Sequence, residues 1–242
     1  LATAKHFPGH GDTDVDSHYG LPLITHPRDR LDQIELRPFR EGISSGVDAV
    51  MTAHIALPSL EPAASTPATF SSRIVRQLLR EELGFDGLIL TDSLRMRAVT
   101  ELATPSDAGL RAVQAGHDLV LHSPDEAGVF ESIKEAVLVG TIEESQLDES
   151  VKRILSAKAR LGLHRSRSVS LDTLPLIVGT RKALPIAEKI SQESLTLIKD
   201  DQHVVPLLIP RSVDFLYLSV VDRPAVWGGA TPSAAFIPAL RQ

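Results

Sequence analysis

The chain reads as an α/β protein of successive βα units around a parallel sheet, on two observations. From residue 20 to about 163, segments with helical apolar spacing alternate with short apolar runs of strand length. Glycines fall where one kind of segment gives way to the other, at Gly46 and Gly84, where a helix has to stop before the next strand starts.

In the first unit Leu36, Phe39 and Ile43 recur at i, i+3 and i+7, which predicts a helix ended by Gly46 and a buried strand over Val47 to Met51. In the second, Ser71 or Ser72 caps a helix whose stripe is Ile74, Val75, Leu78, Leu79 and Leu83; Gly84 ends it, and Leu88 to Thr91 is the strand. The third runs from Ala108 to a strand at Leu119-Val120-Leu121. Two helices, Asp125 to Val139 and Glu143 to Leu161, follow as a closing layer, the latter with Leu147, Val151, Ile154 and Leu155 on one face. Residues 164–180 lose this periodicity and gain Ser, Arg and Pro, the composition of a surface linker. Beyond it, 181–242 read as the start of a second α/β domain, with a helix around Arg181 to Glu193, a strand at Leu195 to Ile198 and another near Phe215 to Val220.

With 242 residues, 43% of them hydrophobic and 23% charged, the chain is long enough for one large domain or two modest ones with an apolar core. A net charge of −6, and arginines scattered around the helix from Arg73 to Arg80, argue against a nucleic-acid surface and leave a neutral or cationic small ligand easier to accommodate. The absence of cysteine excludes disulfides and thiolate zinc sites and leaves the compartment, cytoplasmic or exported, open. No apolar stretch approaches the ~20 residues of a membrane span. The opening LATAKHFPGHG lacks the pattern of a signal peptide, and a start without Met is read as a fragment or processed chain.

Five of the nine histidines precede residue 55, and the densest polar cluster runs from Lys5 to His18. Asp12, Asp14 and Asp16 alternate as in a calcium loop, but Ser17 replaces the turn glycine and Leu23 the closing glutamate. His6 and His10 stand four apart as zinc ligands do, yet Pro8 and Gly9 break the helix and the glutamate of the metalloprotease motif is missing, so no metal is assigned. The third reading is a glycine-rich loop that places Lys5, His6, Asp16 and His18 around a sugar. A single histidine would read as an ordinary hydrogen-bonded loop residue; the crowding weighs against that for the set. Asp16, two residues from His18, can fix the tautomer of the imidazole and raise its basicity, which makes an acid/base suited to neutral pH.

A second constellation is the run Gly87 to Met96, where an apolar strand ends in Asp92. That puts a carboxylate at the carboxyl end of a parallel sheet, where barrel enzymes assemble their sites, and makes Asp92 a candidate nucleophile. Position alone does not separate this from a second role, the N-cap of a helix after Ser93. Asp118 precedes its strand and so belongs to the opposite end, where an acid serves shape.

The segments KHFPGHG (5–11), Asp16-Ser17-His18, Val50-Met51-Thr52-Ala53-His54 and Thr91-Asp92-Ser93-Leu94 stand in the order and approximate spacing of bacterial family 3 β-N-acetylglucosaminidases. The chain thus resembles that glycoside hydrolase family. The resemblance implies that residues 1–163 are the C-terminal half of a (β/α)8 TIM-type barrel, with further strands before Leu1, and that 181–242 open an α/β sandwich domain. It implies a retaining exo-glycosidase acting on terminal β-linked N-acetylglucosamine, with Asp92 as nucleophile, His18 as acid/base oriented by Asp16, and Lys5, His6 and His54 binding substrate. It implies no cofactor and no metal, and a small carbohydrate, an N-acetylglucosaminide such as a muropeptide or chitooligosaccharide, as partner. Ser93 departs from the Asp or Ala common after the nucleophile. Retaining glycosidases usually pair two carboxylates, but a His–Asp pair can supply the proton where a mobile loop reaches over the ring. The alternatives are a β-glucosidase of the same family, a phosphorylase, since an imidazole does not repel incoming phosphate, a non-catalytic carbohydrate-binding barrel, which the presence of both Asp92 and His18 disfavours, and a metal-dependent hydrolase.

Overall fold

The structure, a computed structural model, describes residues 1–63, 65–180 and 182–203. Three strands pair in parallel in chain order, β1 (Thr3–Phe7), β2 (Ala49–Thr52) and β3 (Leu88–Thr91). β3 has the expected bounds, and β2 starts two residues later than expected. β1 corrects the sequence reading, which put Lys5 and His6 on a loop: both lie on a strand. Its exposed and half-buried positions alternate without an apolar run, so nothing in its composition announced it. β1 pairs with β2 from Thr3↔Ala49 to Phe7↔Thr52 with a register shift between Lys5 and Phe7, and its Lys5–His6 and Phe7–Pro8 peptide bonds are cis. β2 and β3 stay in register from Ala49↔Leu88 to Thr52↔Thr91. The strand expected at Leu119–Leu121 is reduced to one bridge, Leu90↔Leu119, with the Leu121 N–H donating to the Thr91 hydroxyl instead of to a backbone carbonyl.

Helices cover the crossovers. α1 (Arg28–Gln33) and α2 (Arg37–Ser44) lie between β1 and β2, and Phe39 of α2 packs edge-on against Phe7 of β1 at 5.1 Å between ring centroids. Between β2 and β3, a 3₁₀ turn (Ala68–Phe70) leads into a helix over Arg73–Glu82. The Ser71 hydroxyl caps its start by accepting from the Ile74 N–H, and its stripe of Ile74, Val75, Leu78 and Leu79 is buried as the periodicity predicts. It is wound with π-type spacing, visible where the Leu83 N–H donates to the Leu78 carbonyl, and Gly84 leaves it at φ +66°. Burying each large aliphatic side chain here contributes about 1.5–3 kcal/mol.

After β3 come α3 (Arg97–Thr100), α4 (Pro105–Ala115), α5 (Glu126–Leu138) and α6 (Glu144–Arg160). Thr104 and Asp125 cap α4 and α5 through their side chains. The face of α6 differs from the expected one: Leu147 and Ile154 pack inward, but Val151 and Leu155 are exposed. The helix is turned so that Ser150 and Arg153 meet Asp118. The Asp118 carboxylate is fully buried and accepts from Arg80 (2.8 Å), Arg153 (3.2 Å), the Ser150 hydroxyl (2.8 Å) and the Ile89 N–H (2.9 Å). It ties β3, the Arg73–Glu82 helix and α6 together at the end of the sheet opposite Asp92.

The chain divides into two compact units, Leu1–Val169 and Ser170–Gln242. The described part of the second holds α7 (Leu174–Ile177), within the stretch expected as linker, and α8 (Leu184–Glu193), the helix expected from Arg181. Leu195–Ile198, expected as a strand, is irregular and exposed, because a strand exists only through a partner and no described residue pairs with it. The strand expected near Phe215 to Val220 lies outside the described residues. No helix among the described residues is long and apolar enough to cross a membrane.

Because Asp118 compensates a mostly buried guanidinium, Asp118→Ala leaves Arg80 charged without its partner and the Ile89 N–H unsatisfied. The expected loss is about 3–5 kcal/mol in a denaturant titration. A loss below about 1 kcal/mol would show that the hub does not hold the layers together.

Candidate active site

Asp92 follows β3 directly, and its backbone N–H donates to the Thr52 carbonyl of β2. Its carboxylate, 21% exposed, is held at both oxygens: Oδ1 accepts from the Ser93 N–H at 2.7 Å, and Oδ2 lies 3.3 Å from His6 Nε2. Burial pushes this carboxyl up, but the hydrogen bonds from His6 and the Ser93 N–H outweigh it and bring it down to about 2. Asp92 is therefore an anion at any pH near neutrality. It does not cap a helix: α3 begins only at Arg97, and the Asp92 side chain accepts from its own neighbour.

His6 is carried by β1 and stands edge-on to His10 at 6.3 Å. Lys5 is exposed beside it, and Lys5, His6, His10 and Asp12 line one groove with Arg30 and Glu35. The turn after β1 requires Gly9. It sits at φ +133°, and a Cβ there would come within 2.5 Å of the Glu35 Cβ, while Arg30 grips both Glu35 oxygens at 2.6 Å.

His18 and Asp16 form a separate pair, each side chain 55% exposed. One oxygen of Asp16 accepts from the His18 backbone N–H (2.9 Å) and from His18 Nδ1 (2.7 Å), and these two bonds hold the carboxyl below the usual range. With Nδ1–H committed to Asp16, Nε2 is the ring atom left to take or give a proton. Between this pair and Asp92 lies His10, which feels the charges of Asp16 and Asp92 alike. Burial and the neighbouring His6 push His10 below its ordinary value, and its Nε2 bonds the buried Ser17 hydroxyl at 3.2 Å. The Ser17 carbonyl in turn accepts from the Ala98 N–H of α3.

His54 differs from the other expected sugar contacts. It is 1% exposed, its Nε2 lies 3.0 Å from the Ser93 carbonyl and its Nδ1 2.7 Å from the Thr69 hydroxyl, so neither ring nitrogen is free for a ligand. Behind it the fully buried His117 bonds Thr52 (2.9 Å) and the Ala112 carbonyl (2.9 Å). Burial pushes both His54 and His117 down to about 4, and both are neutral near pH 7.

His122 escaped the sequence reading. It adopts φ +56° and places Nδ1 3.0 Å from the Ser93 hydroxyl. Its signal was its position just past Leu119-Val120-Leu121, as Asp92 stands just past Leu88 to Thr91. Among the described residues no three His, Cys, Asp or Glu side chains converge as a metal-ligating group.

Parallel βα units with an anionic carboxylate and clustered imidazoles at the carboxyl edge define a TIM-barrel-type α/β domain, its polar groups gathered at the end where barrels carry their chemistry. Residues 1–157 match the glycosyl hydrolase family 3 N terminal domain, and the chain belongs to glycoside hydrolase family 3. It is 33% identical over 235 residues to beta-hexosaminidase A of Pseudoalteromonas piscicida, covering 87% of this chain and 39% of that protein. The structure of a family 3 β-N-acetylglucosaminidase from Paenibacillus sp. str. FPU-7 matches with a TM-score of 0.74 and 43% identity, over 83% of this chain and 38% of that one. That of the β-glucoside phosphorylase BglX matches with a TM-score of 0.76 and 29% identity, over 86% and 39%. The chain thus spans under two fifths of the length of these relatives.

The buried neutral histidines have a consequence for stability. Their folded pKa values, about 4, lie below the unfolded value of 6.5, so between pH 6.5 and 4 the unfolded chain binds protons that the folded chain refuses. Stability therefore falls as pH drops through that window. At pH 4.5 each histidine accounts for about 2–3 kcal/mol of the fall. In His117→Gln the difference in unfolding free energy between pH 7 and pH 4.5 should shrink by that amount; an unchanged difference would count against a neutral buried His117.

Proposed function

We propose that this chain supplies the nucleophile and the acid/base of a retaining exo-glycosidase that removes terminal β-linked N-acetylglucosamine. The observation that carries the reading is the Asp92 carboxylate, anionic, half-buried and held at both oxygens at the end of β3. Of the two named hydrolase relatives, one is a β-N-acetylglucosaminidase, which supports that sugar, and the other a β-hexosaminidase, which is compatible with it.

In the first step Asp92 attacks the anomeric carbon as protonated His18 gives its Nε2 proton to the departing oxygen, and the sugar is left esterified to Asp92. Asp16 stabilises the imidazolium from the Nδ1 side. In the second step His18 Nε2 takes a proton from water, the resulting hydroxide equivalent attacks the anomeric carbon, and the Asp92 carboxylate leaves. Lys5 and His6 bind sugar hydroxyls beside the nucleophile. Chitooligosaccharides and muropeptides are the substrates that present such a terminal residue.

One observation favours a second reading, phosphorolysis. The proton carrier is an imidazole, neutral when it acts as base, and BglX acts on β-glucosides as a phosphorylase. Product analysis with and without phosphate separates the two: a sugar 1-phosphate formed only in its presence replaces hydrolysis with phosphorolysis.

In the complete polypeptide that carries this chain, Asp92→Ala should lower turnover of a chromogenic β-N-acetylglucosaminide by at least ~10³-fold, with the thermal melt preserved. A fluorinated sugar should label Asp92 and no other carboxylate. Retention of most activity would remove Asp92 from the chemistry.

His18→Ala should depress kcat/KM by about 10²–10⁴-fold on substrates with poor leaving groups and far less on activated aryl glycosides, which depart without a proton. Asp16→Ala should follow the same pattern more weakly. Equal losses on both substrate types would exclude an acid role for His18.

A further inference from the structure

Beneath the Asp92 carboxylate lies a closed set of buried polar groups: His54, Thr69, Thr52 and His117, each no more than 1% exposed. The protons of this set can be counted. His117 Nδ1 faces the Ala112 carbonyl, which can only accept, so the proton is on Nδ1 and Nε2 is bare; the Thr52 hydroxyl then donates to it. On the other side His54 Nε2 faces the Ser93 carbonyl, which also can only accept, so the proton is on Nε2 and Nδ1 is bare. Thr69 has one proton and two close acceptors, His54 Nδ1 at 2.7 Å and the Ala53 carbonyl at 3.0 Å. A bare buried Nδ1 needs that proton, and the Thr52 hydroxyl, 3.4 Å from that of Thr69, has its own proton turned to His117 and none to offer.

Ser93 is where this set meets the candidate nucleophile. Its N–H holds Asp92 Oδ1 at 2.7 Å, and its carbonyl is the group that His54 grips. The orientation of the Ser93 backbone sets where the carboxylate points, and His54 is the side chain that fixes it from inside the protein.

We propose that Thr69 and His54 are positioning residues for Asp92: the Thr69 hydroxyl locks His54 in its Nε2–H tautomer, and that N–H anchors the Ser93 backbone that aims the carboxylate. This gives His54 a task below the sugar pocket instead of within it. The inference rests on the reading of Asp92 as nucleophile.

The test compares Thr69→Val, which keeps shape and loses the proton, with Thr69→Ser, which keeps the proton, in the complete polypeptide. Two readouts are taken. Long-range ¹⁵N–¹H spectra report the tautomer of His54 without any reference to activity. The kcat/KM for activated and poor leaving groups reports formation of the glycosyl-enzyme. Thr69→Val should mix the His54 tautomers and lower kcat/KM by about 10–100-fold, equally for both substrate types, since aim and not proton delivery is lost. Thr69→Ser should restore both readouts. Full activity in Thr69→Val, or a loss with the tautomer unchanged, overturns the inference, as does a Thr69→Ser variant as slow as Thr69→Val. Asp92→Ala is assayed alongside: if it stays active, the nucleophile reading has failed, whereas if it is dead and Thr69→Val is normal, only the positioning role has failed. Should Thr69→Val not fold, His54→Gln and His54→Leu carry the comparison. Gln can still donate to the Ser93 carbonyl and should keep at least about a third of the rate, Leu should lose more than about tenfold, and equal rates overturn the inference.

Discussion

Parallel strands send all their carboxyl ends to one side, and here the register Phe7↔Thr52↔Thr91 brings three of them level. His6 near the end of β1, His54 just past β2 and Asp92 just past β3 converge for that reason alone. The residues that follow Thr52 and Thr91 are neighbours because the pair above them is in register, and the Asp92 N–H to Thr52 carbonyl bond continues the ladder one step into the site. A one-residue slip would turn every one of these side chains to the opposite face. At the other end of the same strands the Asp118 hub guards that register, since it bonds the Ile89 N–H of β3 as well as the layers outside it.

The site divides electrostatically into a dry floor and a wet rim. On the floor, burial keeps His54 and His117 neutral, so they serve as oriented dipoles, and the charge of Asp92 is balanced by donors from His6 and Ser93. On the rim, Asp16 and His18 are more than half exposed and solvent screens them. A fixed anion suits a nucleophile, which must be aimed. A solvated imidazole suits a group that must exchange protons with water in each cycle.

Much of the scaffold was legible because local rules decided it. The stripe from Ile74 to Leu79, the glycine stops at Gly46 and Gly84, and the apolar run Leu88 to Leu90 ahead of Thr91 follow from periodicity and backbone freedom alone, and they place Asp92. What was not legible depends on partners distant in sequence. β1 carries Lys5 and His6 where a strand would show apolar residues, and only its pairing with β2 reveals it. A π-type winding keeps the same apolar stripe as an α-helix, so the pattern does not distinguish them. The rotation of α6 answers Asp118, 32 residues away from Ser150 in sequence. His54 looked like one more polar residue of the site, because its burial is created by Thr69 and Ser93, which no spacing rule connects to it. His122 was passed over because the run before it is too short to sustain a paired strand.

The Asp16–His18 pair is closed within three residues, with both bonds to a single carboxylate oxygen and none to the floor. The loop therefore carries its own proton arithmetic with it. Displacing the loop changes how far Nε2 reaches and leaves unaltered which nitrogen holds the lone pair, so distance and tautomer are separate dials in this fold. A molecule that crowds the rim can switch the reach off while the Asp16 bond still fixes the tautomer of the ring. Compounds that act in this way would be invisible to a probe of the His18 tautomer and apparent only to a probe of geometry.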